Sequence, residues 1–145
     1  MQMDFRSHGR VVQSIKAASY ASGTTTNGSS VDTNGFAEAV VVLNVGTGTT
    51  GTLDVKIQDS SDNASWADLT GAAFTQVSGT TGDETTYVAR IRLSSYTAGT
   101  PDKAERYLRA VGVVATAAVP YSVDIVLQGP LNTGVTLSTM AFSID

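Results

Sequence analysis

The stretch Asp59-Ser60-Ser61-Asp62-Asn63 crowds three oxygen-bearing side chains, Asp59, Asp62 and Asn63, into a few residues, a donor set that suits a calcium ion. It lacks the spacing, the glycine and the distal Glu of an EF-hand loop. A hairpin connection built on Asx turns accounts for it as well. Asn63-Ala64-Ser65 has the form of a glycosylation acceptor. Trp66, the single tryptophan, follows at once. Beside a loop an indole can stack on a sugar ring. With aromatics at only 7%, a core plug at a strand start is the reading that composition favours.

Asp54 and Asp124 are the carboxylates an acid/base pair would use, yet each stands on an amphipathic strand where solvation explains it. Arg90 and Arg92 share a strand face, and Arg106 and Arg109 flank Tyr107. Such guanidinium groups recognise carboxylates; their ordinary use in a sheet is cross-strand pairing, here with Asp54 or Asp124. His8, the only histidine, sits among Arg6, Ser7, Gly9 and Arg10 with no base partner. The run from Gly46 to Gly51 spells GxGxxG, but it joins two apparent strands rather than a strand and a helix, so the phosphate-loop match fails by context.

Composition narrows the chemistry further. The chain has 145 residues, enough for one domain, and only 15% are charged. The 14 Gly and an excess of Thr and Ser, about a quarter of the chain, take the place of the missing charge. With no Cys there is no disulfide framework, thiolate zinc site or cysteine nucleophile, and one His makes a Ser-His-Asp triad or a multi-histidine metal site a poor fit. A net charge of -4 argues against a partner bound through its phosphates. Residues 1–10 lack the apolar run of a secretory signal, and Ala39 to Leu43 is too short to span a bilayer, so the expectation is a soluble protein made in a cytoplasm, without membrane, nucleic-acid or cofactor partners.

The elements that position these residues read as strands. Leu53, Val55 and Ile57 alternate with Asp54, Lys56 and Gln58; Tyr87, Ala89, Ile91 and Leu93 alternate with Val88, Arg90 and Arg92; Tyr121, Val123, Ile125 and Leu127 alternate with Ser122, Asp124, Val126 and Gln128. Phe36 to Val45 and Tyr107 to Ala117 are more apolar throughout and read as central strands, the second weakened or bulged around Gly112. Shorter strands are expected at Val11 to Ala17, with Val11, Gln13, Ile15 and Ala17 on one side, and at Trp66 to Leu69 and Ala73 to Val77 around a Thr70-Gly71 turn. Turn chemistry at Thr33 to Gly35, Gly46 to Gly51, Ser78 to Asp83 and Ala98 to Asp102 separates them, and Pro101 to Arg106 would allow one helical turn. The expected fold is all-β, an antiparallel β-sandwich of seven to eight strands.

Residues 1–34 read as an N-terminal arm with a first strand and a Ser/Thr/Gly-rich connection, 35–130 as the sandwich core, and 131–145 as a last strand or an intersubunit docking segment. The last stretch keeps Leu131, Val135, Leu137, Met140, Phe142 and Ile144 among Thr and Ser, too apolar for a solvated tail.

Taken in order, "VDTNGFAEAVVVLNVGT" (Val31 to Thr47), "LDVKIQDSSDNASWADLTGAAFTQV" (Leu53 to Val77), "RYLRAVGVV" (Arg106 to Val114) and "YSVDIVLQGP" (Tyr121 to Pro130) resemble a group of small tailed-bacteriophage virion proteins of the head decoration, or cement, kind. The resemblance runs from about Val11 to Pro130. It implies a structural protein on the capsid surface, synthesised in the host bacterial cytoplasm, whose partners are the major capsid protein and sister subunits, in a homo-oligomer with a trimer favoured. Phe5, Arg6 and Arg10 in the arm, and Leu137, Met140 and Phe142 near the C-terminus, are the side chains expected to make those contacts by adding to a neighbour's sheet edge. Other virion parts, in tail tube, neck or baseplate, carry the same β-rich signature. "QDSSDNASW" also resembles the hairpin of discoidin-type carbohydrate-binding sandwiches, an alternative for which no sugar-binding residue set maps onto this chain.

Overall fold

Alternation of apolar and polar residues buries one face of a strand and wets the other, and two such sheets bury their apolar faces against each other. The computed structural model describes residues 9–47, 50–79, 82, 84–93 and 104–130. Ten strands run in order: β1 (Arg10–Tyr20), β2 (Thr25–Asn27), β3 (Val31–Asp32), β4 (Phe36–Val45), β5 (Thr52–Ser60), β6 (Ala67–Ala73), β7 (Val77–Ser78), β8 (Thr86–Arg92), β9 (Tyr107–Ala115) and β10 (Val119–Pro130). One sheet has the order β1-β10-β4-β8; the other has β2-β9-β5-β6, with β3 also on β9 and β7 on β5. All strand pairings are antiparallel, so the expected β-sandwich is the fold found. The strands beyond the expected seven or eight are the two- and three-residue ones, too short for a period to register in sequence.

The core lies between the sheets. Leu53, Val55 and Ile57 on β5 and Leu108, Ala110 and Val114 on β9 face Val41 and Leu43 on β4, Val123, Ile125 and Leu127 on β10, and Ile91 on β8. The alternation read for β5, β8 and β10 therefore places the right residues inside.

Four local expectations are corrected. In β1 the register slips between Gln13 and Ile15 and again between Ile15 and Ala18. These bulges bury Ser14 and Ile15, turn Val12 to the core and leave Val11 52% exposed, so Val11, Gln13, Ile15 and Ala17 do not share a face. In β9 the pairing with β5 is continuous through Gly112, with no bulge. Gly112 is there for space: a Cβ would fall 2.1 Å from the Tyr121 hydroxyl oxygen. Thr70-Gly71 is not a turn between two strands, because β6 runs through it as an irregular strand with Gly71 at φ 76°.

The fourth concerns the Ser/Thr/Gly-rich connection read as lying outside the core. Residues 21–34 carry β2 and β3, and Val31 is buried. Backbone bonds tie Gly28 N to Ala110 O, Ser29 N to Ser14 O and Thr33 N to Arg106 O. Of 101–106, read as one helical turn or a loop, residues 104–106 are described and are not helical, Ala104 N–H bonding Arg92 O; Phe5, Arg6, His8 and residues 131–145 lie outside the described residues.

Candidate functional site

The loop after β5 folds around one carboxylate. Asp62 accepts from the backbone N–H of Ala64 (2.9 Å) and Ser65 (2.8 Å) and from the hydroxyls of Ser60 (2.8 Å) and Ser65 (3.1 Å). These donors hold its pKa far below the usual carboxylate range, the backbone bonds from Ser65 and Ala64 contributing most. Asp59 accepts instead from the backbone N–H of Glu105. The donor set read as a calcium candidate is therefore taken up by an Asx-type turn, and no group of three metal-ligating side chains occurs among the described residues.

Trp66 is not the core plug that composition favoured. It lies half-buried on the outer side of the β2-β9-β5-β6 sheet, with the Arg109 guanidinium 4.4 Å from its ring centroid. Arg109 donates twice to Gln58 Oε1, Gln58 donates to Asp68, and Lys56 Nζ lies 2.7 Å from the other Asp68 oxygen. The result is a continuous polar stripe of side chains already engaged with one another.

The arginine pairings also differ from expectation. Arg90 pairs with Glu38 across β8 and β4 (2.6 Å), and Arg106 forms a two-point bond to Asp32 (3.0 and 2.8 Å) beside the Tyr107 ring. The Arg90 bond holds Glu38 below its ordinary pKa, and the Arg106 bond does the same for Asp32. Arg10, the one expected contact residue in the described chain, is exposed at the start of β1, and its charge adds slightly to the field on Asp32. Asp54 bonds to Gln76 on the outside of one sheet, and Asp124 stands on the outside of the other. They cannot act as an acid/base pair.

The outer face of the β1-β10-β4-β8 sheet is the surface that reading single strands missed. Register lines up Val11, Val126, Val40 and Arg90 in one cross-strand row and Gln13, Asp124, Val42 and Val88 in the next. Five valines thus share an outward face; Val88 is 61% exposed and Val11 52%. Among the described residues no hydrogen bond or ion pair reaches Asp124, and desolvation by this setting pushes its pKa up. Glu38, Arg90, Arg92 and Gln128 border the patch at one end, and Asn44 and Thr86 at the other. A signal existed in the sequence: Phe36 to Val45 is apolar at both alternating positions, which marks a strand apolar on both faces.

An open cleft of about 400 Å³ lies between the free edges of the two sheets. The β6 bulge, Phe74 and Ile57 line one side, and Ala89 to Arg92 the other. Its charged groups are Arg90 and Arg92 alone, and two guanidinium groups offer neither nucleophile nor general base. No helix of the described residues is long and apolar enough to cross a membrane.

Among the described residues the two antiparallel sheets define a class by architecture, the β-sandwich. Solved structures share the architecture. The chain matches the crystal structure of the PBSX exported protein XepA over its whole length (TM-score 0.59, 12% identity), covering 45% of that chain. It matches the infectious bursal disease virus VP2 subviral particle over 92% of its length (TM-score 0.54, 10% identity), covering 34% of that chain. A third match is the infectious bursal disease virus Gx strain structure (TM-score 0.52, 8% identity), with 86% of this chain and 32% of that one. The chain thus spans less than half the length of these structures, and at such identities the likeness is one of fold. No protein-family description and no curated protein matches the sequence.

Proposed function

We propose that the chain is a non-enzymatic structural protein of a tailed-phage virion, of the head-decoration kind, which binds the capsid exterior and its own sister subunits. The observation that carries this reading is the outer face of the β1-β10-β4-β8 sheet, where five valines share one outward face, Val11 and Val88 exposed and Val40, Val42 and Val126 partly so. An apolar face of this kind marks a protein contact, since monomeric soluble proteins rarely leave one uncovered. The sandwich it shares with a viral subviral particle and with an exported PBSX protein agrees with a virion part. Arg109 over one face of Trp66 leaves the carbohydrate-module alternative only the other face of the ring for stacking.

The test is localisation on purified particles of the phage that encodes the chain, by mass spectrometry and gold-labelled antibody. Decoration predicts label spread over the head. Label confined to tail, neck or baseplate would replace decoration with one of those roles, and absence from the particle would overturn the virion reading altogether.

A further inference from the structure

We propose that the outer face of the β1-β10-β4-β8 sheet receives the C-terminal segment, residues 131–145, of a second copy of this chain. The proposal deepens the assembly reading above and rests on it for the presence of a second copy.

The face asks for an apolar occupant without acidic groups. Val11, Val126, Val40, Val42 and Val88 share the face with Asp124, which stands between Gln13 and Val42 in its cross-strand row and has no hydrogen bond or ion pair among the described residues. Two copies packed face to face about a twofold axis would set each Asp124 toward its own image, which like-charge repulsion opposes. The C-terminal segment suits the face better. Val135 and Leu137, then, after a change of phase at Ser138-Thr139, Met140, Phe142 and Ile144, are spaced by small residues, and no charge occurs from 131 to 144. Thr136, Ser138 and Thr139 supply hydroxyl donors for a half-buried carboxylate. Ten residues, 135–144, would reach about 33 Å if extended, ample to cross the about 14 Å between the two edge strands.

Where the described chain stops favours the second copy over the first. It ends at Pro130 on β10, an interior strand, with Phe36 of β4 opposite. A segment folding straight back would lie along β10 and β4. It would leave uncovered Val11 and Val88, the most exposed valines of the face, on edge strands about 14 Å apart. A segment arriving from outside can cross the strands from one edge to the other. A contact between a segment and a face is heterologous, and repeated around an axis it closes into a ring.

The absence of cysteine gives a clean test. Full-length Ser143→Cys carrying a spin label is mixed with unlabelled-spin, methyl-isotope-labelled wild-type chain. Broadening of the Val11, Val40, Val42, Val88 and Val126 methyls in the mixed sample is the expected result. Val42→Lys/Val88→Lys in the isotope-labelled chain should weaken the association by about tenfold or more while the melting curve stays cooperative. Broadening seen only when spin and isotope share one chain, diluted into unlabelled protein, would overturn the proposal in favour of self-docking. No broadening in either sample would overturn docking on this face altogether. Copies that exchange segments in solution but are missing from virions would sink the virion reading and leave this one standing; incorporation into virions without transfer would do the reverse.

Discussion

At the scale of single residues, two side chains make opposite contributions to stability for physical reasons that can be separated. Asp124 has its pKa raised by desolvation alone, so its ionised form is disfavoured in the folded chain. That penalty is present above its folded pKa and disappears as the pH falls to the unfolded value. Asp124→Asn is therefore expected to stabilise the monomer at pH 7, by less than about 1 kcal/mol because water screens the site, and to have no effect at pH 3; urea denaturation at both pH values checks it. Tyr121 illustrates a different cost. Its hydroxyl is buried with no hydrogen bond of ordinary geometry, although Thr26 lies within electrostatic reach, and burial pushes its pKa up. Tyr121→Phe should change stability by less than about 1 kcal/mol, since the hydroxyl it removes is buried and has at most a weak contact with Thr26. Gly112→Ala should cost about 1–3 kcal/mol by driving a methyl into the same ring, and should cost less in the Tyr121→Phe background. Denaturant midpoints of the two single variants and the double read all three effects.

At the scale of elements, β1 shows where sequence reading stops. Its alternation was legible, but its phase was not, because a bulge leaves no mark in the apolar pattern of a single strand. The physical reason for the slip is a polar residue: Ser14 turns inward, accepts from Ala110 N–H at 3.0 Å and donates to Ser29 O at 2.9 Å, joining β1 to β9 across the interior. Ser14→Ala strips a buried N–H of its acceptor and is expected to destabilise by about 1–3 kcal/mol, with faster amide exchange at Ala110 as the local reading. By contrast β5 and β10 kept the faces their alternation assigned, since each carries apolar residues at every second position and a steady register. The candidate surface was illegible for a related reason. Val11, Val40, Val42, Val88 and Val126 belong to four strands, and only the cross-strand register brings them together. Trp66 was misplaced because composition cannot tell an indole filling a core from one held under a guanidinium.

At the scale of the whole molecule, pH acts through four carboxylates held below their ordinary pKa: Asp32 and Glu38 by arginines, Asp68 first by Lys56, and Asp62 by the donors of its own turn. Asp32 and Glu38 have folded pKa values below their ordinary 3.8 and 4.5, held down first by the bonds from Arg106 and Arg90. Depressed carboxylates add stability that is fully present above the unfolded values and is lost as the pH falls through the folded ones. Asp124 works in the opposite sense over the same range, and alone it is outnumbered. Stability is expected to be flat from about pH 5 to 8 and to decline below about pH 4, and a series of denaturation midpoints against pH checks the shape. Asp32→Asn should remove part of that acid decline, while Arg106→Gln should lower the plateau itself.

The tie from Ser14 to Ala110 spans 96 residues, and the Thr33 bond to Arg106 spans 73. On a ribosome, then, β1, β2 and β3 have no strand to pair with until β9 and β10 have been made. Valine-rich β4 meets β8 earlier but waits through the same interval for β10, its neighbour on the other side. A topology with such distant partners folds slowly, in milliseconds to seconds, and leaves unpaired strands open to other chains in the meantime. Sparse charge and abundant Thr offer little to keep nascent copies apart. Yield in a cell should therefore depend on how fast the protein is made as well as on how stable the finished sandwich is.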